Sequence, residues 1–298
     1  MPVTGFGLVA VATAPIDAVQ VAAIEAALGA AGATGIVGAS FAGGVEVSFG
    51  CPDAGPPRAH AVALRRAVAP AIAAWPIDLA VRDARARATP RLVVMDMDST
   101  LITIEVIDEL ARRHGVGDEV AAITERAMRG ELDFEASLRA RVGKLRGLRG
   151  AAMAELAAQL VLSDGAERLI EALHGRGVAV AIASGGFTFA ASALQARLGL
   201  AHAHANQLEL IDDVLTGEVL GPVVTAERKA ALVVELAAAA QIPLAQTVAI
   251  GDGANDRLML AQAGFGVAFR AKPALAAVAD ATIEHGGLDR VLAFVDRA

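Results

Sequence analysis

The chain has 298 residues, 55% hydrophobic and 20% charged, a balance that suits globular proteins with a sizeable core and excludes disorder. A formal net charge of -7 with no basic stripe argues against a nucleic-acid partner and leaves a small molecule as the expected one. The single cysteine, Cys51, allows no internal disulfide, and the six histidines show no zinc-ligand spacing, so a reducing, cytoplasmic setting is expected.

The first cation is Arg58, so the apolar start does not read as a secretory signal, and the apolar stretches are too short or too broken to span a membrane. Residues 1–88 read as one unit. The pattern predicts a strand over Phe6–Ala12, a helix over Pro15–Ala31, two short strands around Ala42-Gly43-Gly44, a helix over Pro57–Trp75 and a strand over Ile77–Val81. This βαββαβ order is that of a ferredoxin-like α+β domain, and it carries no motif with chemistry. Cys51 reads as a small hydrophobe near a strand end, because no base can be named for it. The Arg- and Ala-rich stretch from Arg82 to Pro90 reads as the linker.

A second domain, 89–298, opens on the buried strand Leu92–Met95, which ends in Asp96-Met97-Asp98-Ser99-Thr100. Two carboxylates at the carboxyl end of a strand can hold a divalent cation beside a substrate, although an isolated motif of this kind reads more readily as a strand and a capped turn. From there to about His174 the periodicity is helical, as expected of a helical cap inserted at about 103–170. Alternation then resumes, with strands over Val178–Ala183, Thr247–Ile250 and Gly266–Phe269, helices over Phe189–Leu198 and Thr225–Ala240, and a hairpin around Asp212-Asp213. Strands alternating with helices imply a doubly wound parallel sheet, which brings the strand ends at Asp96, Ser184-Gly185-Gly186 and Gly251-Asp252 to one edge.

Only three of the 26 cationic residues are lysines, Lys144, Lys229 and Lys272, so each is a candidate for a task that needs a compact ammonium. Lys229 shares the apolar stripe of its helix with Val233 and Leu236 and must find anions there. Arg141 likewise falls inside the stripe of Phe134, Leu138, Val142 and Leu145, where it must meet either an internal acid or a ligand carboxylate.

Asp96-Met97-Asp98-Ser99-Thr100, Ser184-Gly185-Gly186-Phe187, Lys229 and Gly251-Asp252-Gly253-Ala254-Asn255-Asp256 resemble, in order, the four motifs of the haloacid dehalogenase superfamily. The stretches Thr124–Phe134 and Ser137–Val142 closely resemble the cap of its phosphoserine phosphatases, and residues 1–88 are similar to the ACT-like domains found ahead of bacterial members. The resemblance implies a fold with a doubly wound parallel sheet, an inserted helical cap and an ACT-like domain in front. It implies Mg2+-dependent hydrolysis of O-phosphoserine through an aspartyl phosphate, the last step of L-serine biosynthesis. Asp96 would be the nucleophile and Asp98 the general acid and base. Mg2+ would be held by Asp96, the carbonyl of Asp98 and Asp252, supported by Asp256. Ser184, Gly185 and Lys229 would hold the phosphoryl group, and Glu105, Met128, Phe134, Arg141 and Asn255 the rest of the substrate. A homodimer formed through the N-terminal domain is the expected assembly. The alternatives are another phosphatase or a phosphotransferase of the superfamily, acting for example on homoserine, or a non-catalytic amino-acid sensor. Two stretches depart from the family pattern. Ser163-Asp164-Gly165 stands where a Pro-Gly is usual after the cap, and Arg257-Leu258-Met259 where Leu-Pro-Met is common.

Overall fold

The computed structural model describes residues 3–52, 56–84 and 88–297, so part of the expected linker, residues 85–87, lies outside the described residues. The N-terminal unit runs β1 (Val3–Ala12), α1 (Ala18–Ala30), β2 (Thr34–Phe41), β3 (Gly44–Pro52), α2 (Pro57–Ile72) and β4 (Ile77–Asp83). All its pairings are antiparallel, and the spatial order β2-β3-β1-β4 is the one that a split βαβ unit requires. Alternate residues of its strands, among them Phe6, Leu8, Val45, Val47, Leu79 and Val81, pack with Ile24, Leu28, Leu64 and Val68 of the two helices. Cys51 lies fully buried in that core.

The remainder is built on β5 (Leu92–Met95), β6 (Ala179–Phe187), β7 (His202–Ile211), β8 (Val214–Leu220), β9 (Thr247–Gly251), β10 (Phe265–Phe269) and β11 (Ala281–Ile283). Strands β11-β10-β9-β5-β6-β7 are parallel, and β8 closes the far edge as an antiparallel hairpin with β7. Asp212 and Asp213 make that hairpin turn with φ of 50° and 61°, the left-handed pair that a two-residue turn needs. On β5, Val93 and Met95 face one core while Leu92 and Val94 face another. A strand buried on both faces must be apolar throughout, hence its unbroken hydrophobic run.

The sheet does not stop between the two expected domains. Strand β11, which the sequence pattern did not mark because it is only three residues long, pairs antiparallel with β4 and makes one eleven-stranded sheet of the whole chain. Polar anchors secure the joint. Arg58 of α2 grips Asp280 with two hydrogen bonds and donates to the carbonyls of Leu260, Ala261 and Ala263, which close α10 (Arg257–Gln262). Asp78 of β4, 1% exposed, accepts the backbone N–H groups of Glu284, His285 and Gly286 at 2.8, 3.0 and 2.9 Å. Hydrogen bonds to a buried carboxylate are worth about 1.5 to 3 kcal/mol each when a donor is left unpaired. Asp78→Ala is therefore expected to lower stability by roughly 3 kcal/mol or more, read as a shift in the denaturation midpoint at unchanged slope.

Between β5 and β6 the chain leaves the sheet to form α3 (Val106–His114), α4 (Gly117–Met128), α5 (Phe134–Lys144) and α6 (Gly150–Ala158), and returns through α7 (Ala166–Gly175). The two arms of this excursion are tied together by N–H donation from Thr103 to Val161 and from Ser163 to Leu101, at 3.1 and 2.9 Å. The returning arm holds Ser163-Asp164-Gly165, where Gly165 has a φ of 76° that the residue before a helix rarely adopts, and Asp164 pairs with Arg270. Helix α5 and the turn into α6 lean on the β7–β8 hairpin, where Gly147 and Gly150 donate to Leu215 and Asp213. On the opposite sheet face lie α9 (Ala226–Ala239) and α10. Helix α8 (Thr188–Leu198) follows β6, while α11 (Pro273–Ala276) and α12 (Arg290–Arg297) end the chain; α10, α11 and α12 were not expected from the sequence.

Candidate active site

The carboxyl ends of β5, β6 and β9 meet beneath the helical excursion, where β5 is flanked by β9 on one side and β6 on the other. This reversal of connection opens the crevice that doubly wound sheets use for ligands. A cavity of about 420 Å3 occupies it, lined by Asp96, Asp98, Glu105, Phe134, Arg141, Ser184, Gly185, Asp252 and Asn255 among others.

At its floor Asp96, 5% exposed, accepts the N–H of Met97 at 2.7 Å through one oxygen and the ammonium of Lys229 at 2.7 Å through the other. Lys229 is 1% exposed and also donates to Asp256 at 2.8 Å. Helix α9 sets this reach, since Thr225 caps its start and Val233 and Leu236 share the buried face of Lys229. Burial draws the Lys229 ammonium down, but the charges of Asp96 and Asp256 outweigh it and hold the lysine protonated, above its ordinary pKa. The second oxygen of Asp256 takes the N–H groups of Asp252 and Gly253 at 3.1 and 3.0 Å, which ties the β9 loop to the lysine. A Cβ on Gly251 would collide with the Asp256 carboxyl, so only glycine fits there.

Asp98 sits one turn further on, in a loop where Ser99 takes a φ of 57° and donates to Glu105 at 2.6 Å. One Asp98 oxygen is buried without a hydrogen-bond partner. Burial first, then the charges of Glu105 and Asp96, push its carboxyl well above the usual range, which favours the protonated acid. Gly186 lets it sit so close to β6, for a Cβ there would lie 2.6 Å from an Asp98 oxygen. Strand β6 continues through Ser184 to Phe187 instead of ending at Ala183, with its register against β7 broken in between. Ser184 is fully buried and accepts the N–H of Gly186 at 2.9 Å.

Glu105, which the resemblance gives to the substrate, stands just ahead of α3 with extended backbone (φ -89°, ψ 113°) and lines the cavity. Arg141 lies half-buried in the cavity wall with one long bond, 3.4 Å, to the Ser137 carbonyl and no ion pair among the described residues. Phe134 presses on Gly185, where a Cβ would come within 2.9 Å of its ring. Met128 is the one expected residue that the structure keeps apart. It ends α4 at 76% exposure, five residues beyond buried Ile123 and so about 140° around the helix, and it does not line the cavity.

Other participants were given no role from the sequence. Asn206, 1% exposed on β7, donates to the Gly185 carbonyl and accepts from the N–H of Val224, both at 2.7 Å, which ties the end of β6 to the segment ahead of α9. Thr100 donates to Asp252 at 3.1 Å. Asp108, Thr124 and Lys272 also line the cavity; Lys272 stood out beforehand by the scarcity of lysine and Thr124 as the start of the cap-like stretch.

Oxygen atoms of Asp96, Asp252 and Asp256 lie within 4.8 Å of one another, an acidic triad able to bind a divalent metal. Three carboxylates share one ammonium, and burial together with the charge of Asp96 pushes Asp252 up to about 6. Such a set of hard oxygen donors with surplus negative charge fits a hard cation. Asp96 and Asp256 each have both oxygens engaged, whereas Asp252 accepts only the Thr100 hydroxyl through one oxygen and is the freest donor of the three.

Residues 90–264 match the family of haloacid dehalogenase-like hydrolases. The chain belongs to that family. It is 51% identical over 230 residues to a phosphoserine phosphatase of Streptomyces coelicolor, covering 77% of this chain and 56% of the relative. It is 49% identical over 201 residues to one of Idiomarina loihiensis, covering 67% of this chain and 91% of the relative. The chain thus spans little more than half the length of the Streptomyces relative. Among solved structures, a probable phosphoserine phosphatase from Vibrio cholerae in unliganded form superposes with a TM-score of 0.78 at 35% identity, over 98% of this chain and 87% of the other. Among the described residues no helix is long and apolar enough to cross a membrane.

Proposed function

We propose that this hydrolase cleaves O-phosphoserine to serine and phosphate with Mg2+, the last step of L-serine biosynthesis. The observation that carries the reading is that one cavity is lined both by Asp96, held on Lys229 and beside Asp98, and by Arg141, a cation without an ionic partner among the described residues. A phosphate and a carboxylate on one small molecule match those two sets of groups, and the relatives' names point the same way.

In this reading the Asp96 carboxylate attacks phosphorus. Asp98, held as the acid by its surroundings, gives its proton to the departing serine oxygen. The Asp98 carboxylate so formed then takes a proton from the water that attacks the aspartyl phosphate, which releases phosphate and restores both groups. Lys229, Ser184 and the backbone at Gly185 hold the phosphoryl oxygens, and Glu105, Phe134 and Asn255 the rest of the substrate, while the distance of Met128 from the cavity speaks against a contact in this conformation. Asp96, Asp252 and the carbonyl of Asp98 are the ligands we assign to Mg2+, which when bound supplies charge neutralisation between carboxylate and phosphate.

A phosphate-release panel of phosphoserine, phosphothreonine, phosphoglycolate and glucose 6-phosphate tests the reading. Phosphoserine should lead by a wide margin, and a preference for any other member would overturn the substrate. Chelation should abolish release, and Mg2+ should restore it where Ca2+, with its looser coordination, does not.

Arg141→Lys should raise KM for phosphoserine about tenfold to a hundredfold, since a charged fork is worth roughly 1.5 to 3 kcal/mol and lysine cannot reproduce it. Hydrolysis of phosphoethanolamine, which lacks the carboxylate, should hardly change. Equal losses on both substrates in a folded variant would make Arg141 a support of the helices above the cleft.

We also assign residues 1–88 to an ACT-like domain, 89–298 to the phosphatase domain and about 103–170 to its cap. The separate N-terminal core supports the first division, and the paired arms at Thr103 and Ser163 support the cap. Homodimer formation through the N-terminal domain is part of this reading, and sedimentation of the whole chain would test it.

A further inference from the structure

A second cavity, of about 860 Å3, lies at the joint between α2 with β4 and the segment after β10. Pro70, Ile72, Trp75 and Leu79 give it an apolar wall, and Arg65, Arg66 and Arg270 line it with positive charge against a single acid, Glu284. Arg65 is 3% exposed, yet it has no ion pair among the described residues. Its donors go to neutral acceptors: Nε to the Ala279 carbonyl at 3.1 Å, Nη2 to the Ala276 carbonyl and Nη1 to the Thr282 hydroxyl at a long 3.5 Å. A guanidinium offers five N–H groups, so part of the set remains unused. Burial pulls Arg65 down to about 10, and the charges of Asp280 and Glu284 only partly offset it. A cation held so deep without a counter-ion is costly, and an anion in the adjoining space removes that cost. Arg66, the next residue, is exposed at the same cavity and has no partner among the described residues.

We propose that this cavity binds a small organic anion, its carboxylate or phosphate held by Arg65 and Arg66 and its apolar body laid against Trp75 and Ile72. The segment Arg270–Pro273 couples it to the cleft. Ala271 and Pro273 line the interdomain cavity, whereas Lys272 between them lines the catalytic one and donates its N–H to the Asp252 carbonyl at 3.0 Å. An occupant therefore bears on the strand-end loop that carries Asp252. The binding half stands whatever the reaction is; the coupling half rests on the phosphatase reading.

Trp75 is the only tryptophan in a chain without tyrosine, so its fluorescence reports on this cavity directly. Titrating the whole protein with benzoate or phenylphosphonate should give a saturable change, and comparing the two separates a carboxylate from a phosphate ligand. Benzamide, equal in shape but uncharged, should give none. Arg66→Gln should weaken the response about tenfold, as loss of one charge-assisted contact does. Ala69→Phe, which fills the space from α2, should abolish it. Arg65 itself is left in place because its bonds to Ala276 and Ala279 hold the joint. No saturable change with either anion, an equal response to benzamide, or unchanged affinity in Arg66→Gln and Ala69→Phe would overturn the site. For the coupling, saturating benzoate should shift kcat or KM for phosphoserine at least twofold in the native protein and not in Ala69→Phe. Binding with unchanged kinetics would overturn the coupling. Failure to hydrolyse phosphoserine at all would overturn the assigned reaction and leave the fluorescence result standing.

Discussion

Asp96→Asn is expected to abolish turnover and to leave no phosphorylated protein when the reaction with labelled phosphoserine is quenched in acid. An amide has no charge with which to attack phosphorus, and losses on the order of 10^4- to 10^6-fold follow removal of other covalent nucleophiles. The geometry adds a second penalty. Both Asp96 oxygens face donors, the Met97 N–H and the Lys229 ammonium, so an asparagine must turn its own N–H2 toward one of them. Asp98→Asn differs in kind. It keeps the bond-forming group and removes only the proton carrier, so both formation and breakdown of the phosphoenzyme should slow by about 10^2- to 10^4-fold while labelled protein still accumulates. Recovery of label on the Asp96→Asn protein, or its complete loss in Asp98→Asn at long reaction times, would reverse the two assignments.

What the sequence made legible was decided by how local the cause was. The β5 run, the Asp212-Asp213 turn and the helix of Lys229 each follow from a short stretch of chain, and they lie where the pattern put them. Strand β11 does not, because three residues carry no period and its pairing with β4 is a contact across some 200 positions. The joint held by Arg58, Arg65 and Asp78 was illegible for the same reason, since a charged residue in a helix or strand looks solvated until its partner is known. In the cleft, the acids announced themselves by standing just beyond buried strands. Asn206 acts through two hydrogen bonds from another strand, and nothing in its own neighbourhood marks it, whereas Thr100 lies within the first motif but its bond to Asp252 depends on a strand far along the chain. Helical periodicity carries no information on Glu105, which precedes α3 with extended backbone, so only the resemblance pointed to it.

Lys229→Met should cost both activity and stability, and the two losses are separable. In the native protein one ammonium lies between Asp96 and Asp256 at 2.7 and 2.8 Å, with all three side chains nearly inaccessible. Methionine keeps the stem's bulk and leaves two carboxylates buried without their cation, a change that typically costs about 3 to 5 kcal/mol, or roughly 10 °C in Tm for a chain of this size. Turnover should fall at least on the order of 10^2- to 10^3-fold, as when a fixed charge facing the transferring group is removed. The pH dependence tests the cause. Without Lys229 the charge and hydrogen bond that lower the Asp256 carboxyl are gone, so its pKa in the folded state rises further above the unfolded value. The native variant then binds more protons than its unfolded chain, and its stability increases as pH falls. The deficit against the native protein should accordingly be smaller at pH 5 than at pH 8. Adding Asp256→Asn to Lys229→Met removes one of the two stranded charges and should recover part of the Tm without recovering turnover. A Lys229→Met protein with unchanged Tm, or a double variant that regains activity along with stability, would mean that the lysine serves the fold and not the phosphoryl group.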